Sequence, residues 1–538
     1  MGAHNRRWLV AVTGVLALGV AAVGARWWAG EEVLRELEAR GVKWEHQRDT
    51  FGAVHLSDLS WKGTRAEQVD IELVPAPRVV VHGVEVDLRA MGARGAVPAE
   101  SLGSVQSSAG GLAAVVAVEV RDLDVRLGDD VLAERWSGTL APEVSVGGAG
   151  GRLSRSPGGD WKVHLERPLE VGPASGDMAI DATCGTRCEV TVVVPALVLE
   201  DEFLAGEALP PTAARADFVW DLRGDGALEG SVDIGALHLT VEGSVQAEPA
   251  VALDLSFDLQ DAPLDDVVAL FGDTVPEARR ARMHGTLGAS GTWSWPAGAW
   301  SLTPRFGQLA VEGVIPDVDG LKHGGISWAA PDVEGVPRLR RTGEGHPDFV
   351  PFPAAGLFPV AVLAAEDSGF TRHNGIDPVA IQAALDEARE DGLDGMRGGS
   401  TITQQLAKNL FLDTRERTIA RKLRELLYAL ELDRVLPKQR ILELYINVVE
   451  LGDDIYGVGP AASAYFLKQP ARLTVTEVAF LAALLPAPRT LSRRAWHGGR
   501  PPKARMTVII DNMADMRRID PLTASEARRT TLRLVPPP

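Results

Sequence analysis

The 538-residue sequence is poor in cysteine, tyrosine and positive charge. Its 73 acidic residues outnumber 55 lysines and arginines, giving a formal charge of −18, and no basic stripe of the kind that binds nucleic acid dominates any region. Lysine is sparse and arginine supplies most of the cations. The two cysteines, Cys184 and Cys188 in Cys-Gly-Thr-Arg-Cys, are too few to close a zinc site. In an exported chain they favour a local disulfide pinning a turn over a metal or redox pair. Long apolar runs are also missing, with one exception at the start. What is present, 45% hydrophobic and 24% charged residues, is ordinary globular composition. The length implies two or three domains.

The exception is an apolar run at 8–25, preceded by Arg6 and Arg7 and followed by Arg26, Trp27 and Trp28. At about 1.5 Å per residue it nearly spans a hydrocarbon core, with tryptophans suited to the interface. The arginines before it favour a cytoplasmic N-terminus. A cleaved signal peptide is the other reading, since Val23, Gly24 and Ala25 form a small-residue site. Either way the remainder is extracytoplasmic.

Residues 30–345 read as β structure. Leu253, Leu255, Phe257 and Leu259 alternate with Asp254, Ser256, Asp258 and Gln260, and the same period recurs at 79–88, 115–127 and 218–245. Short helices are expected at 31–40 and 264–271. Strands with one polar and one apolar face make a sheet covered on one side. The pattern weakly resembles the long β modules of AsmA-like proteins, without a diagnostic motif; a β-rich spacer fits equally. A stretch rich in Gly, Pro and charge at 336–348 marks a break, after which the period is helical to about 494. One more helix is expected at 504–516.

Four helical segments carry polar groups worth singling out. Glu366 and Asp367 end the apolar stretch 358–365 and open into a loop holding Phe370, His373, Gly375 and Asp377. A carboxylate there is partly desolvated, which raises its pKa and suits proton transfer; a plain helix end is the bland reading. Gly398-Gly399-Ser400-Thr401 precedes Gln404, Gln405 and Lys408, with Ser400 or Thr401 as helix cap. Glycines, free N–H groups and a lysine suit an anion. Arg417, Arg421, Arg424 and Tyr428 recur at helical spacing, with Glu425 four residues after Arg421. That stripe is either a phosphate-binding face or a solvated helix with ion pairs. The run 437–452 buries Ile441, Leu444, Tyr445 and Val448 behind Pro437 and reads mostly as packing. Thr474 and Glu477 box the start of an apolar helix at 475–485.

In this order and spacing the segments resemble the family 51 peptidoglycan glycosyltransferases, over about 155 residues. The matching signatures are Glu-Asp…Phe…His…Gly, Gly-Gly-Ser-Thr…Gln-Gln-Leu…Lys-Asn, Arg-Lys…Glu and Ile-Leu-Glu…Tyr…Asn. A multidomain protein is expected: an anchor at 1–29, a β-rich periplasmic region at 30–345 that is not part of the usual monofunctional enzyme of this family, a catalytic domain at 346–500 that the resemblance implies to be mostly helical and lysozyme-like, and an extension at 501–538. It implies polymerisation of lipid II into glycan strands, with inversion and release of polyprenyl pyrophosphate, at the inner membrane. Glu366 falls on the family's general base and Glu425 on the glutamate assisting the leaving group, directly or through a divalent cation, Mg or Mn. Lys408, Arg417, Arg421 and Arg424 match diphosphate-binding positions. Ser400, Gln404 and Gln405 match positions that shape the cleft. Partners implied are lipid II, the lipid-linked strand, the membrane and cell-wall synthesis proteins, with no nucleic acid. Ser368 departs from the arginine common after Glu-Asp, and no Ser-x-x-Lys and Lys-Thr-Gly set for a transpeptidase is present. The competing readings are a lytic transglycosylase or hydrolase, which needs no cationic phosphate face, and a membrane-tethered lipid-handling or scaffold protein with a degenerate enzyme domain.

Overall fold

The computed structural model describes residues 43–535, apart from 88–116, 392–398, 413–417 and other stretches of five residues or fewer. The apolar run 8–25 and the expected helix at 31–40 lie outside them. Among the described residues no helix is long and apolar enough to cross a membrane. The chain divides into two compact units, one of 1–198, 211–257 and 293–298, the other of 199–210, 258–292 and 299–538.

The first unit is β structure, as its alternating sequence implies. Strands Ala53–Trp61, Thr64–Glu72 and Arg78–Asp87 form an antiparallel meander, and Ala117–Leu127 then adds in parallel. In register, Leu56 lies opposite Val69, Val69 opposite Val81 and Val81 opposite Val120. All four are buried. The ladder explains why these strands hold their register: a one-residue slip would turn the whole row to solvent. Polar partners occupy the intervening positions, where His55 Nδ1 lies 2.6 Å from Asp70 Oδ1. Cys184 ends strand Ala174–Cys184 and Cys188 lies in Arg187–Leu199, and their disulfide pins the turn between them. Strand Ala252–Pro263 keeps its expected alternation: Leu253, Leu255 and Phe257 are half-buried, while Asp254, Ser256 and Gln260 are exposed.

The second unit is mostly helical. Its described helices are α1 (Leu264–Ala269), α2 (Phe358–Glu366), α3 (Pro378–Asp391), α4 (Ile402–Phe411), α5 (Ile419–Val435), α6 (Lys438–Val448), α7 (Val458–Phe466), α8 (Val475–Ala483), α9 (Pro488–Trp496), α10 (Lys503–Asp515) and α11 (Pro521–Arg529). Helix α8 is apolar beyond its first turn, with Val478, Phe480 and Leu481 fully buried. Its start is the expected capping box, Thr474 accepting from Glu477 N and Glu477 returning to Thr474 N. Helices α2 and α10 pack on it. Full burial of side chains such as Phe358, Ile402, Leu406 and Leu427 contributes roughly 1.5–3 kcal/mol each.

Three details differ from the sequence reading. The Gly/Pro/charge stretch expected as a break contains strand Pro337–Thr342, paired antiparallel with Ile326–Pro331. Arg338 bonds Asp332 there, and Arg340 stacks 4.1 Å from the Tyr456 ring, so its charges are partnered rather than solvated. Pro437 is the N-cap of α6, one place before the first helical position. Beyond α10, a second C-terminal helix, α11, is capped by Asp520, which accepts from Leu522 and Thr523 N–H groups.

Candidate functional site

Glu366 is the last residue of α2, where the helix stops and the backbone turns extended at Asp367. Its Oε2 accepts from Gln405 Nε2 at 2.9 Å and its Oε1 from Arg505 Nη2 at 2.7 Å. Gln405 is held in turn by the hydroxyl of fully buried Tyr445, which donates to Gln405 Oε1 at 2.8 Å. Burial with Glu366 and Asp367 nearby pushes the Tyr445 phenol well above its ordinary range, so it remains a donor. Burial raises the Glu366 carboxyl above the ordinary glutamate value, against the opposing pull of Gln405, Arg505 and Lys408.

Asp367, next in sequence, has a structural post. It accepts from Ile402 N at 3.0 Å, at the start of α4, and from His373 Nε2 at 3.1 Å. Gly375 closes this loop with φ +89°, and a Cβ there would lie 2.9 Å from Ala429 O of α5. Only glycine accommodates that approach. Thr401, rather than Ser400, caps α4, and Gln404 completes the box by accepting from Thr401 N at 3.0 Å. Gln404 is thus buried in a cap instead of facing the cleft. Gln405 and Lys408, one and four places on, project beside Glu366.

Glu425 sits on α5 and is 2% exposed. Its Oε1 is bound by Arg421 Nη1 and its Oε2 by Lys422 Nζ at 2.7 Å. Lys422 also donates to Ser400 Oγ at 2.6 Å, tying α5 to the residues before α4. Burial lowers the pKa of Lys408; Glu425 and Glu366 pull it back up, while Lys422 and Arg421 push it down. Lys408 therefore feels both carboxylates at once, which brings Glu366, Lys408, Arg421 and Glu425 into one electrostatic neighbourhood.

Of two further expected residues, one is not described and one does not join it. Arg417 lies outside the described residues. Arg424 turns to another face of α5, where its Nη2 donates to Glu277 Oε1 at 2.8 Å. Successive residues on a helix point about 100° apart, and Arg424 is turned from Glu425 toward the side of α5 that meets Glu277.

The surroundings of Glu425 also test the expected divalent cation. Mg and Mn prefer several oxygen ligands. Here both carboxylate oxygens are taken by cationic side chains, Arg421 and Lys422. The donor set does not fit a hard cation. Asp367, His373 and Asp377 come within ligand reach of one another; His373 Nε2 bonds Asp367 while its Nδ1 is buried without a partner among the described residues, and Asp377 caps α3 through Val379 N and Ala380 N.

Arg505 and Lys422 are site residues to which the sequence reading gave no role, although Lys422 lies in the Arg-Lys…Glu signature. Lys422 stood beside Arg421 in the sequence; Arg505 lies 139 residues from its partner, with no local signal. Residues 354–514, the stretch from α2 to α10 that assembles this site, match the family model described as Transglycosylase. The chain is 50% identical to a biosynthetic peptidoglycan transglycosylase of Marinomonas sp. over 132 residues, 24% of this chain and 57% of that protein. It is 48% identical to the protein of that name from Bordetella pertussis over 136 residues, 25% of this chain and 56% of that one. It is 45% identical to penicillin-binding protein 1A of Haemophilus influenzae over 159 residues, 30% of this chain and 18% of that one. The chain thus spans less than two thirds of the length of these relatives.

Proposed function

We propose that this protein is a peptidoglycan glycosyltransferase that polymerises lipid II without transpeptidase activity. The observation that carries the reading is Glu366, a buried carboxylate bonded by Gln405 and Arg505, in one electrostatic neighbourhood through Lys408 with Glu425, a carboxylate bonded by Arg421 and Lys422.

In this reading the 4-hydroxyl of one lipid-linked disaccharide gives its proton to Glu366 as its oxygen attacks the anomeric carbon of the strand. A raised pKa keeps Glu366 a competent base near neutral pH. The carbon–oxygen bond to the diphosphate breaks on the opposite face, so configuration inverts and no covalent enzyme intermediate forms. Polyprenyl pyrophosphate leaves with the bonding electrons, and its growing charge is met by Lys408, Arg421 and Lys422. Cations placed at a developing charge stabilise the transition state more than the ground state. Glu425 orients Arg421 and Lys422 and keeps that cluster from repelling itself; no step needs a metal at Glu425. The apolar run at 8–25 would hold the chain at the membrane where its lipid substrate resides, with the domain extracytoplasmic.

The test is incubation of the purified full chain with lipid II, beside Glu366→Gln. Glycan polymer from the parent and at least a hundredfold less from the variant is the expected result. Polymer from both would remove Glu366 from the base role, and polymer from neither would favour a scaffold.

A further inference from the structure

Helix α5 carries two sets of groups on neighbouring faces. Arg421, Lys422 and Glu425 form the cluster described above. Arg424, Tyr428 and Glu431 recur at i, i+4 and i+7 and make a separate stripe. That stripe is met by residues that precede 354, the first residue of the family match. Glu277, 3% exposed, accepts from Arg424 Nε at 3.0 Å, from Arg424 Nη2 at 2.8 Å and from the Tyr428 hydroxyl at 3.0 Å. Two turns on, Glu431 accepts from Gly313 N and Ile315 N, each at 2.7 Å, and Arg434 Nε donates to Val311 O at 3.1 Å. At the start of α5, Ala420 N donates to Leu204 O at 2.9 Å, satisfying one of the amides a helix start leaves open. All these partners belong to the same compact unit as the helices.

We infer that Glu277 is a positioning residue for the reaction site, fixing the roll of α5 through Arg424 and Tyr428 and so the placement of Glu425 and Arg421. A bidentate carboxylate–guanidinium pair sets orientation as well as distance, which a single hydrogen bond does not. Burial alone would raise the Glu277 carboxyl; Arg424 and Tyr428 outweigh it and hold it below the ordinary value, so the pair is ionised. The roll matters because Glu425 lies only one residue from Arg424: turning the helix to release one displaces the other. The transglycosylase segment of this chain is accordingly not self-contained. Segments within 199–210, 258–292 and 299–345, of the same compact unit, supply the wall against which its cationic helix is seated.

The kinetic arm of the test rests on the proposed reaction, and a second arm does not. Full-length Glu277→Ala and Glu277→Gln are assayed with lipid II, and amide hydrogen exchange is followed across 419–435 in the same preparations. Misplacing reacting groups by about 1 Å costs on the order of 10²-fold, so kcat per folded molecule of E277A is expected to fall roughly 10- to 100-fold. KM should stay within about twofold, because the base side of the cleft is untouched. E277Q, which keeps an oxygen for Arg424, should fall between E277A and the parent, and it serves if the alanine variant unfolds. Exchange across 419–435 should speed up while that of α8 stays as in the parent. Kinetics within about twofold of the parent, or unchanged protection of α5, overturns the inference. Should the parent make no polymer, the proposed reaction fails and the exchange arm alone decides the positioning role.

Discussion

Arg505→Met is the sharpest probe of how the base is tuned. Arg505 Nη2 lies 2.7 Å from Glu366 Oε1, with the guanidinium side chain 39% exposed and the carboxylate 15%. Opposite charges about 4 Å apart interact by roughly 4 kcal/mol at an effective dielectric of about 20. Exposure of the arginine and salt screening reduce that to about 1–1.5 kcal/mol, or close to one pH unit. The sign follows from the cause. Burial already holds Glu366 above the ordinary glutamate value, and Arg505 works against burial by favouring the ionised form. Removing the cation therefore raises the carboxyl further. A general base must be ionised, so the acid limb of the kcat/KM profile should move about one unit toward higher pH. Below that limb the variant should be roughly tenfold slower than the parent; well above it the two should nearly coincide. The assay is glycan polymerisation across pH at fixed ionic strength. A limb that stays put, or moves toward lower pH, refutes the tuning argument.

Other outcomes follow from the same geometry. Lys408→Met removes a cation from the leaving-group side and should lower kcat on the order of 10²-fold, read in steady-state polymerisation with little change of Tm. Asn447→Ala deletes a buried amide that donates to Val350 O and Glu443 O and accepts from Val350 N at 2.8 Å. It should destabilise the helical unit by about 2–4 kcal/mol, measured by denaturant titration. Treatment with EDTA should leave the rate within about twofold, since Glu425 is occupied by Arg421 and Lys422; a tenfold fall would mean that a divalent cation displaces Lys422.

How far the sequence speaks depends on the range over which each contact acts. Period-two alternation around Leu253 and the capping pairs Thr401–Gln404 and Thr474–Glu477 are local, and the folded chain keeps them. Glu366, Gln405, Lys408 and Glu425 were legible because motif spacing encodes the helices α2, α4 and α5 that bring them together. Arg424 was expected at the diphosphate because the family resemblance matches it to that position; the stripe itself left a solvated helix with ion pairs open. The partner of Arg424, Glu277, lies 147 residues earlier, where nothing in the text marks it. Strand Pro337–Thr342 was hidden for a different reason: proline and glycine suppress the strand signal, while pairing with Ile326–Pro331 supplies the bonds that composition cannot show. Helix α11 did have a signal, Asp520 followed by Pro521, outweighed by the proline-rich end.

The bond between Glu366 and Arg505 also has a consequence for synthesis. The two residues stand 139 positions apart, near opposite ends of the matched segment, and the helices between them are translated in order. A growing chain can make Glu366, Lys408 and Glu425 long before α10 leaves the ribosome. Until then Glu366 stands without its guanidinium, so its finished protonation balance is reached only when α10 docks.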